Sequence, residues 1–291
     1  MMSLFSSSIS LRKGVAITDE EFVQLRDFIY EKSGIFVDEK RKYLFESRFR
    51  KRLQELSLSS FGDYLKFLKF DSNRKEELVK LFELITTNET SFYRDTKQLD
   101  AFYDNVLKEV VENVRKQGKS ELHIWSAGCS SGEEPYTLSI LLHEMLGLEA
   151  ARWKIRISAN DLSMAMIKKA REGLYNEYAM KTTPERIQLK YFTKENGGWR
   201  IKPEVAKIVD FRLLNLNDTL AVKRIPRSHI VFCRNVIIYF DQDMKKKVIN
   251  SYYDNLLDGG YLMLGHSESL HKITKAFKPV FYPGTIAYKK E

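Results

Sequence analysis

The 291-residue sequence predicts an α/β protein: a Rossmann-like sheet with a small antiparallel β insert, preceded by an all-helical domain. Three observations carry that reading. Residues 18–85 hold four stretches with apolar residues at helical spacing and no strand-like run. Residues 121–146 read as a buried strand, a turn of small residues and an apolar helix. From there to the C-terminus, short apolar runs alternate with helical patterns, the signature of parallel strands joined by crossover helices. The expected division is a helical domain over 1–85, a linker over 86–95, and an α/β domain over 96–291 with the insert at about 175–212.

In chain order, residues 1–16 read as a frayed leader, and Thr18-Asp19-Glu20-Glu21 forms a capping box that starts the first helix. Its stripe is Phe22, Leu25, Phe28 and Ile29, and Gly34 ends it. A second helix, roughly 39–56, buries Phe45, Phe49, Leu53 and Leu56. Arg41, Arg48 and Arg52 line up beside that stripe as a basic arc. Ser60 and Asp63 start a third helix, and 74–85 gives a fourth. The segment TTNETSFYRD, 86–95, is too rich in directional hydrogen-bonding groups (Asn88, Thr90, Arg94) for a plain spacer. A long amphipathic helix follows at about 96–117.

The pivotal stretch is ELHIWSAGCSSGEEPYT, residues 121–137. Gly128 and Gly132 let the backbone turn sharply and approach a bound group. Glu133 and Glu134 suit a helix N-terminus but oppose a phosphate, so a cation or a nucleoside is expected there rather than a dinucleotide. A second strand, Trp153 to Ala159, ends in Asn160-Asp161, where nucleoside-binding α/β proteins place an acid on a ribose; capping the next helix (163–172) is the plainer role. Between 175 and 212, short β-prone pieces at Tyr191-Phe192, Trp199 to Ile201 and Ile208 to Phe211 suggest an antiparallel insert turning at Asn196–Gly198. Further strands are expected at 229–233 and 261–265, with a helix to about 258 between them and a closing hairpin around Pro283-Gly284.

Composition narrows the class. The 43% hydrophobic share is that of a globular core, and the formal charge of +9 suggests an acidic partner. No apolar run approaches the ~20 residues of a membrane span. Cys129 and Cys233 sit in or beside predicted strands and read as small buried residues, which points to a reducing, cytoplasmic setting. The histidines show no metal-ligand spacing, and structural roles suit His123 and His229.

Ligand groups of such a sheet gather at the carboxyl ends of its strands. Those ends supply Glu133, Glu134, Asp161, Asn215 with Leu216, and Asn235 with Val236; the linker adds Asn88, Thr90 and Arg94. This polar, acidic set lacks a phosphate-binding Lys, a nucleophile–base pair and a metal cluster. It suits a nucleoside whose reactive end is a cation.

TTNETSFYRD, WSAGCSSGEEPYTLS, CRNVIIYFD and GYLMLGHSE, in that order, resemble the signature segments of the bacterial chemotaxis receptor methyltransferases, the CheR-type glutamate O-methyltransferases. The resemblance covers about residues 18–289. It implies a class I S-adenosylmethionine-dependent fold and methyl esterification of glutamates on the cytoplasmic helical region of chemoreceptors, with S-adenosylhomocysteine as product. It implies Asn88, Thr90 and Arg94 on the methionine end of the cofactor, one of Glu133 and Glu134 in contact with it, and Asp161 on the ribose. Asn215, Leu216, Asn235 and Val236 would flank the adenine and the sulfonium side, with Arg94 and Tyr239 near the methyl group. The basic arc of Arg41, Arg48 and Arg52 would meet the acidic receptor helix. Relatives that dock on a receptor tail carry a longer glycine-rich loop than TKENGG, so tail docking is not expected here. A nucleic-acid methyltransferase is disfavoured, because no RNA-binding module signature and no Asn-Pro-Pro-aromatic motif is present. A dinucleotide oxidoreductase lacks its three-glycine spacing, while a non-catalytic nucleotide-binding signalling module stays open. A monomer is expected.

Overall fold

The computed structural model describes residues 15–291, so most of the expected leader lies outside the described residues. Two compact units emerge, one of residues up to Tyr30 together with Val37–Ile85, the other of Glu31–Phe36 with Thr86–Glu291.

The first unit is helical. Its elements are α1 (Asp19–Ser33, whose last turn belongs to the second unit), α2 (Lys42–Glu55), α3 (Phe61–Phe70) and α4 (Arg74–Ile85). The capping box forms as expected: Glu21 N donates to Thr18 Oγ1 at 3.2 Å, and Thr18 N donates to Glu21 Oε2 at 3.0 Å. The core is aromatic, with Phe22 edge-on to Phe45, Phe45 beside Phe49, and Phe49 beside Tyr64.

The second unit is built on a seven-stranded sheet. Its strands are β1 (Glu121–Ala127), β2 (Lys154–Asp161), β6 (Val209–Leu213), β7 (Ser228–Cys233), β8 (Leu256–Leu264), β9 (Phe277–Tyr282) and β10 (Thr285–Lys290). They lie in the order β6-β2-β1-β7-β8-β10-β9. The first five pair in parallel, and β10 is antiparallel to both β8 and β9. Chain order reverses between β1 and β7, and a ligand crevice opens beyond the carboxyl ends at such a reversal. A buried cluster packs on each face of the sheet, one around Phe102, Ile124 and Phe232, the other around Trp125, Val231 and Tyr252. The central strands are therefore apolar on both sides and read as continuous runs rather than alternations.

The expected helix at 96–117 forms as α5 (Thr96–Ala101) and α6 (Lys108–Lys116), joined through a π-helical stretch over Phe102–Leu107. The wider turn keeps Leu99, Phe102, Val106, Leu107, Val110 and Val114 all buried. The insert differs from expectation. Its three-stranded sheet combines β3 (Leu174–Tyr175) with the hairpin β4 (Phe192–Glu195) and β5 (Gly198–Ile201), in the order β3-β5-β4. The piece expected as its last strand is instead β6, which pairs in parallel with β2 at the edge of the main sheet. Short β-prone runs look alike in sequence; only the partner distinguishes them.

Among the described residues, no helix is long and apolar enough to cross a membrane. Both cysteines are buried and free. His123 and His229 are structural: His123 ring nitrogens meet Arg227 O and Ser158 Oγ, and His229 Nδ1 accepts from His123 N at 3.1 Å.

Candidate active site

The turn after β1 is held by β2. Gly128 N and Cys129 N both donate to Asn160 O at 2.8 Å. Gly128 has φ of 78°, and a Cβ there would collide with the Val236 side chain after β7, so only glycine lets the two strand ends meet. Helix α7 (Glu133–Leu146) then starts at Gly132.

Asp161 is buried at the end of β2. Its Oδ2 accepts from Ser130 N and its Oδ1 from Ser163 N, both at 2.8 Å. Burial pushes its carboxyl above the usual range, while those backbone N–H groups pull the other way. Helix α8 (Met164–Glu172) is capped by Ser163, which accepts from Met166 N, so Asp161 ties the turn to the start of α8 without being the cap itself. The Leu162 N–H is a third backbone partner, which leaves about one of the four acceptor positions of the carboxylate for a hydroxyl donor.

Glu133 and Glu134 separate. Both oxygens of Glu133 accept from Ser131 Oγ, and Lys169 is the cation it feels. Glu134 Oε1 accepts from Ser126 Oγ at 2.8 Å, and its Oε2 lies 3.5 Å from Arg234 Nη1. Burial raises both carboxyls; Glu134 is held back by Arg234 and by Arg94.

The linker lies against these groups. Ser130 Oγ donates to Asn88 O, Tyr93 N donates to Thr137 Oγ1 of α7, and Thr90 is half-buried between them in sequence. Arg94 is half-buried; its Nη1 donates to Glu89 O at 2.8 Å, and its carbonyl accepts from Arg234 Nη2 at 2.7 Å. The insert braces the other side. Phe92 N donates to Ala179 O, Thr182 Oγ1 donates to Phe92 O, and Tyr175 OH donates to Ser131 O.

After β7, Asn235 adopts φ of 59°, and a 3-10 turn follows over Ile237–Tyr239. Val236 and Tyr239 are partly buried against the Trp125 cluster, so Tyr239 has a packing role whatever else it does. Asn215 is more committed than expected: its Nδ2 donates to Lys32 O at 2.6 Å and its Oδ1 accepts from Asn217 N. Its side chain is used in holding the chain, which leaves backbone groups there for a ligand. Leu216 is buried.

Turn, linker, Glu134, Asp161 and the Asn235–Tyr239 loop thus converge, whereas the basic arc breaks up. Arg52 is bound bidentately by the buried Glu77, with Nε–Oε1 at 2.9 Å and Nη2–Oε2 at 2.5 Å, and Tyr64 OH also donates to Glu77. Arg52, expected at the receptor surface, is committed to this pair, and withdrawing it would leave Glu77 buried and uncompensated. Arg48 Nη1 donates to Leu84 O and Ile85 O, capping α4, and Arg41 is exposed.

Two residues escape sequence reasoning. Arg234 bridges Glu134 and the Arg94 carbonyl while 8% exposed, and Glu268, equally buried, accepts from backbone N–H groups of the Asn235–Ile238 loop. The available signals were a charge ending the apolar run HIVFC and an acid just beyond the carboxyl end of β8.

A sheet of this order and a glycine turn answered by carboxylates instead of lysines are those of a Rossmann-like, class I S-adenosylmethionine-dependent methyltransferase. Buried acids beside a glycine cradle fit a cofactor whose amino acid end and sulfonium are cationic and whose ribose offers hydroxyls. A family profile described as CheR methyltransferase, SAM binding domain, matches residues 88–286, and one described as CheR methyltransferase, all-alpha domain, matches 20–86. The chain is 34% identical to a chemotaxis protein methyltransferase of Borreliella burgdorferi over 95% of its own length and 96% of the relative's. It is 33% identical to chemotaxis protein methyltransferase 2 of Vibrio cholerae, over 95% and 94%. It is 31% identical to the chemotaxis protein methyltransferase of Escherichia coli, over 92% and 91%. The chain belongs to the CheR family of chemotaxis methyltransferases.

Proposed function

We propose that the protein methylates glutamate side-chain carboxylates of chemoreceptors, giving methyl esters, and that it acts in the cytoplasm on the helical region of those receptors. The observation that carries this reading is the meeting of the linker with the carboxylate-lined turn at the strand ends. The names of the relatives supply the acceptor class.

When bound, S-adenosylmethionine supplies an electrophilic methyl carbon whose leaving group is a neutral thioether. The acceptor glutamate is already ionised at neutral pH, with a reference pKa of about 4.3, so no residue of this chain has to remove a proton. The work left to the protein is alignment and exclusion of water, which can contribute roughly 7–11 kcal/mol. Asp161 accepts the ribose hydroxyls. Glu134 is the better candidate than Glu133 for the amino group, because Arg234 ties it to the linker at the Arg94 carbonyl, whereas both oxygens of Glu133 are held by Ser131. Asn88 and Thr90 line the methionine end, and Asn215, Leu216, Asn235 and Val236 flank the adenine. Arg94, with one nitrogen on Glu89 O, keeps donors for the acceptor carboxylate beside Tyr239. Arg41 and Arg48 present positive charge to an acidic receptor helix.

Titration calorimetry with S-adenosylhomocysteine tests the pocket. Binding by wild type and a loss of at least about tenfold in Asp161→Ala are expected, since a charge-assisted hydrogen bond and two loop anchors go together. Wild-type affinity in the variant would remove Asp161 from the site. Transfer of labelled methyl to a receptor fragment, as an alkali-labile ester, tests the acceptor.

A further inference from the structure

We infer that Glu268 is a positioning residue for methyl transfer: its carboxylate staples the Asn235–Tyr239 loop in its working shape. The inference rests on the reading above that this loop flanks the cofactor.

Glu268 Oε2 accepts from Asn235 N at 2.7 Å and from Gly265 N at 2.8 Å. Its Oε1 accepts from Val236 N at 3.0 Å and from Ile238 N at 3.2 Å. A carboxylate offers about four acceptor positions, and here two backbone N–H groups meet each oxygen. Three of the four donors come from the loop after β7, and the fourth comes from the end of β8. One side chain therefore fastens two neighbouring strand ends at the crevice.

The loop needs such a fastening. Asn235 sits at φ of 59°, a left-handed conformation that asparagine tolerates better than most residues, and its N–H is met by Glu268 rather than by a strand. Buried N–H groups without partners are costly, and one anion satisfies three of them at once. Close approach is built in. A Cβ on Gly265 would come within 2.7 Å of Glu268 Oε2 and 2.9 Å of Asn235 N. Held this way, Val236 stays against Gly128 of the cofactor turn, and the Ile237–Tyr239 turn presents Tyr239. With its acceptor positions taken by backbone N–H groups, Glu268 acts through Asn235, Val236 and Tyr239.

Glu268→Gln keeps size and removes the charge, and its amide nitrogen would face two N–H donors. Amide hydrogen exchange, calorimetry with S-adenosylhomocysteine and methylation of a receptor fragment are measured on the full chain. Glu109→Gln serves as a stability control; Glu109 holds Tyr261 OH and Lys289 on the sheet, away from the loop. The expected result for Glu268→Gln is faster exchange confined to Asn235, Val236, Ile238 and Gly265. It is accompanied by a Kd raised at least about tenfold and a further drop in kcat, with the control unchanged in both. Gly265→Ala is expected to reproduce the pattern from the other side of the staple, and serves if Glu268→Gln fails to fold. Wild-type Kd and kcat in both variants would overturn the inference. So would losses that track thermal stability equally in Glu109→Gln. If wild type itself binds no S-adenosylhomocysteine, the cofactor reading fails and the positioning role with it, while the exchange pattern still reports on the staple.

Discussion

Arg234 shows how a single buried charge can organise a site. It has one nitrogen 3.5 Å from Glu134, another on the Arg94 carbonyl, and its Nε is buried without a partner. Arg234→Met leaves the buried Glu134 with Ser126 and Arg94 alone to answer its charge, and a loss of up to about 3–5 kcal/mol is expected by chemical denaturation. Pairing it with Glu134→Gln is expected to recover part of that loss, because the stranded charge is then gone; an additive double variant would refute the coupling. The acid positions of Glu133, Glu134 and Asp161 are legible in sequence because helix starts and strand ends are marked by local patterns. Which glutamate faces the linker is not legible, since that depends on how α7 is rotated against β7.

At the scale of elements, the insert is fastened to α7 by Glu144. It receives Arg186, Lys190 and the Tyr191 hydroxyl, each at 2.6–2.7 Å. Burial works against its ionised form, but those three partners outweigh it and bring the pKa down to about 2 from 4.5. A carboxyl depressed in the folded state adds stability above its unfolded pKa and loses it as pH falls through the folded value. The contribution is thus present above about pH 4.5 and fades towards about pH 2. Arg186 and Lys190 are largely exposed, so screening reduces it to about 1 kcal/mol. Acid titration of stability is expected to be shallower in Glu144→Gln over that window; an identical slope would count against the pairing. Element types follow from the sequence wherever period and caps agree, as in α1 and α3. β6 was assigned to the wrong sheet because strand pairing is a non-local choice, and the π-helical stretch leaves no mark because its apolar spacing resembles an ordinary helix.

For the whole molecule, the helical unit and the α/β unit correspond to the two family regions, 20–86 and 88–286. In sequence the passage from one region to the next is a change of hydrophobic period, and the stretch between them is rich in directional hydrogen-bonding groups. At Arg52 the sequence shows a charge on a helix face but not the Glu77 that answers it. The hairpin β4–β5 turns through Asn196 and Gly197 only, the short turn on which the expectation of no tail docking rests. Methylation of a receptor lacking its C-terminal tail is therefore expected to proceed at close to the full-length rate. Its collapse would show that a short hairpin suffices for tethering.

The insert leaves and rejoins the chain between α8 and β6, a crossover that already exists, so additions there leave the sheet order intact. Its two ends differ in freedom. Residues 175–183 are bonded to Ser131, Phe92 and Glu89, and the base of the hairpin is held by β3 and Glu177, whereas a Cβ added at Gly197 in its turn would meet nothing within 4 Å. An exchange confined to Asn196 and Gly197 is thus expected to leave the backing of the linker in place. A graft that reaches back to Tyr175 or Ala179 would carry off the backing of the linker and would have to evolve together with it.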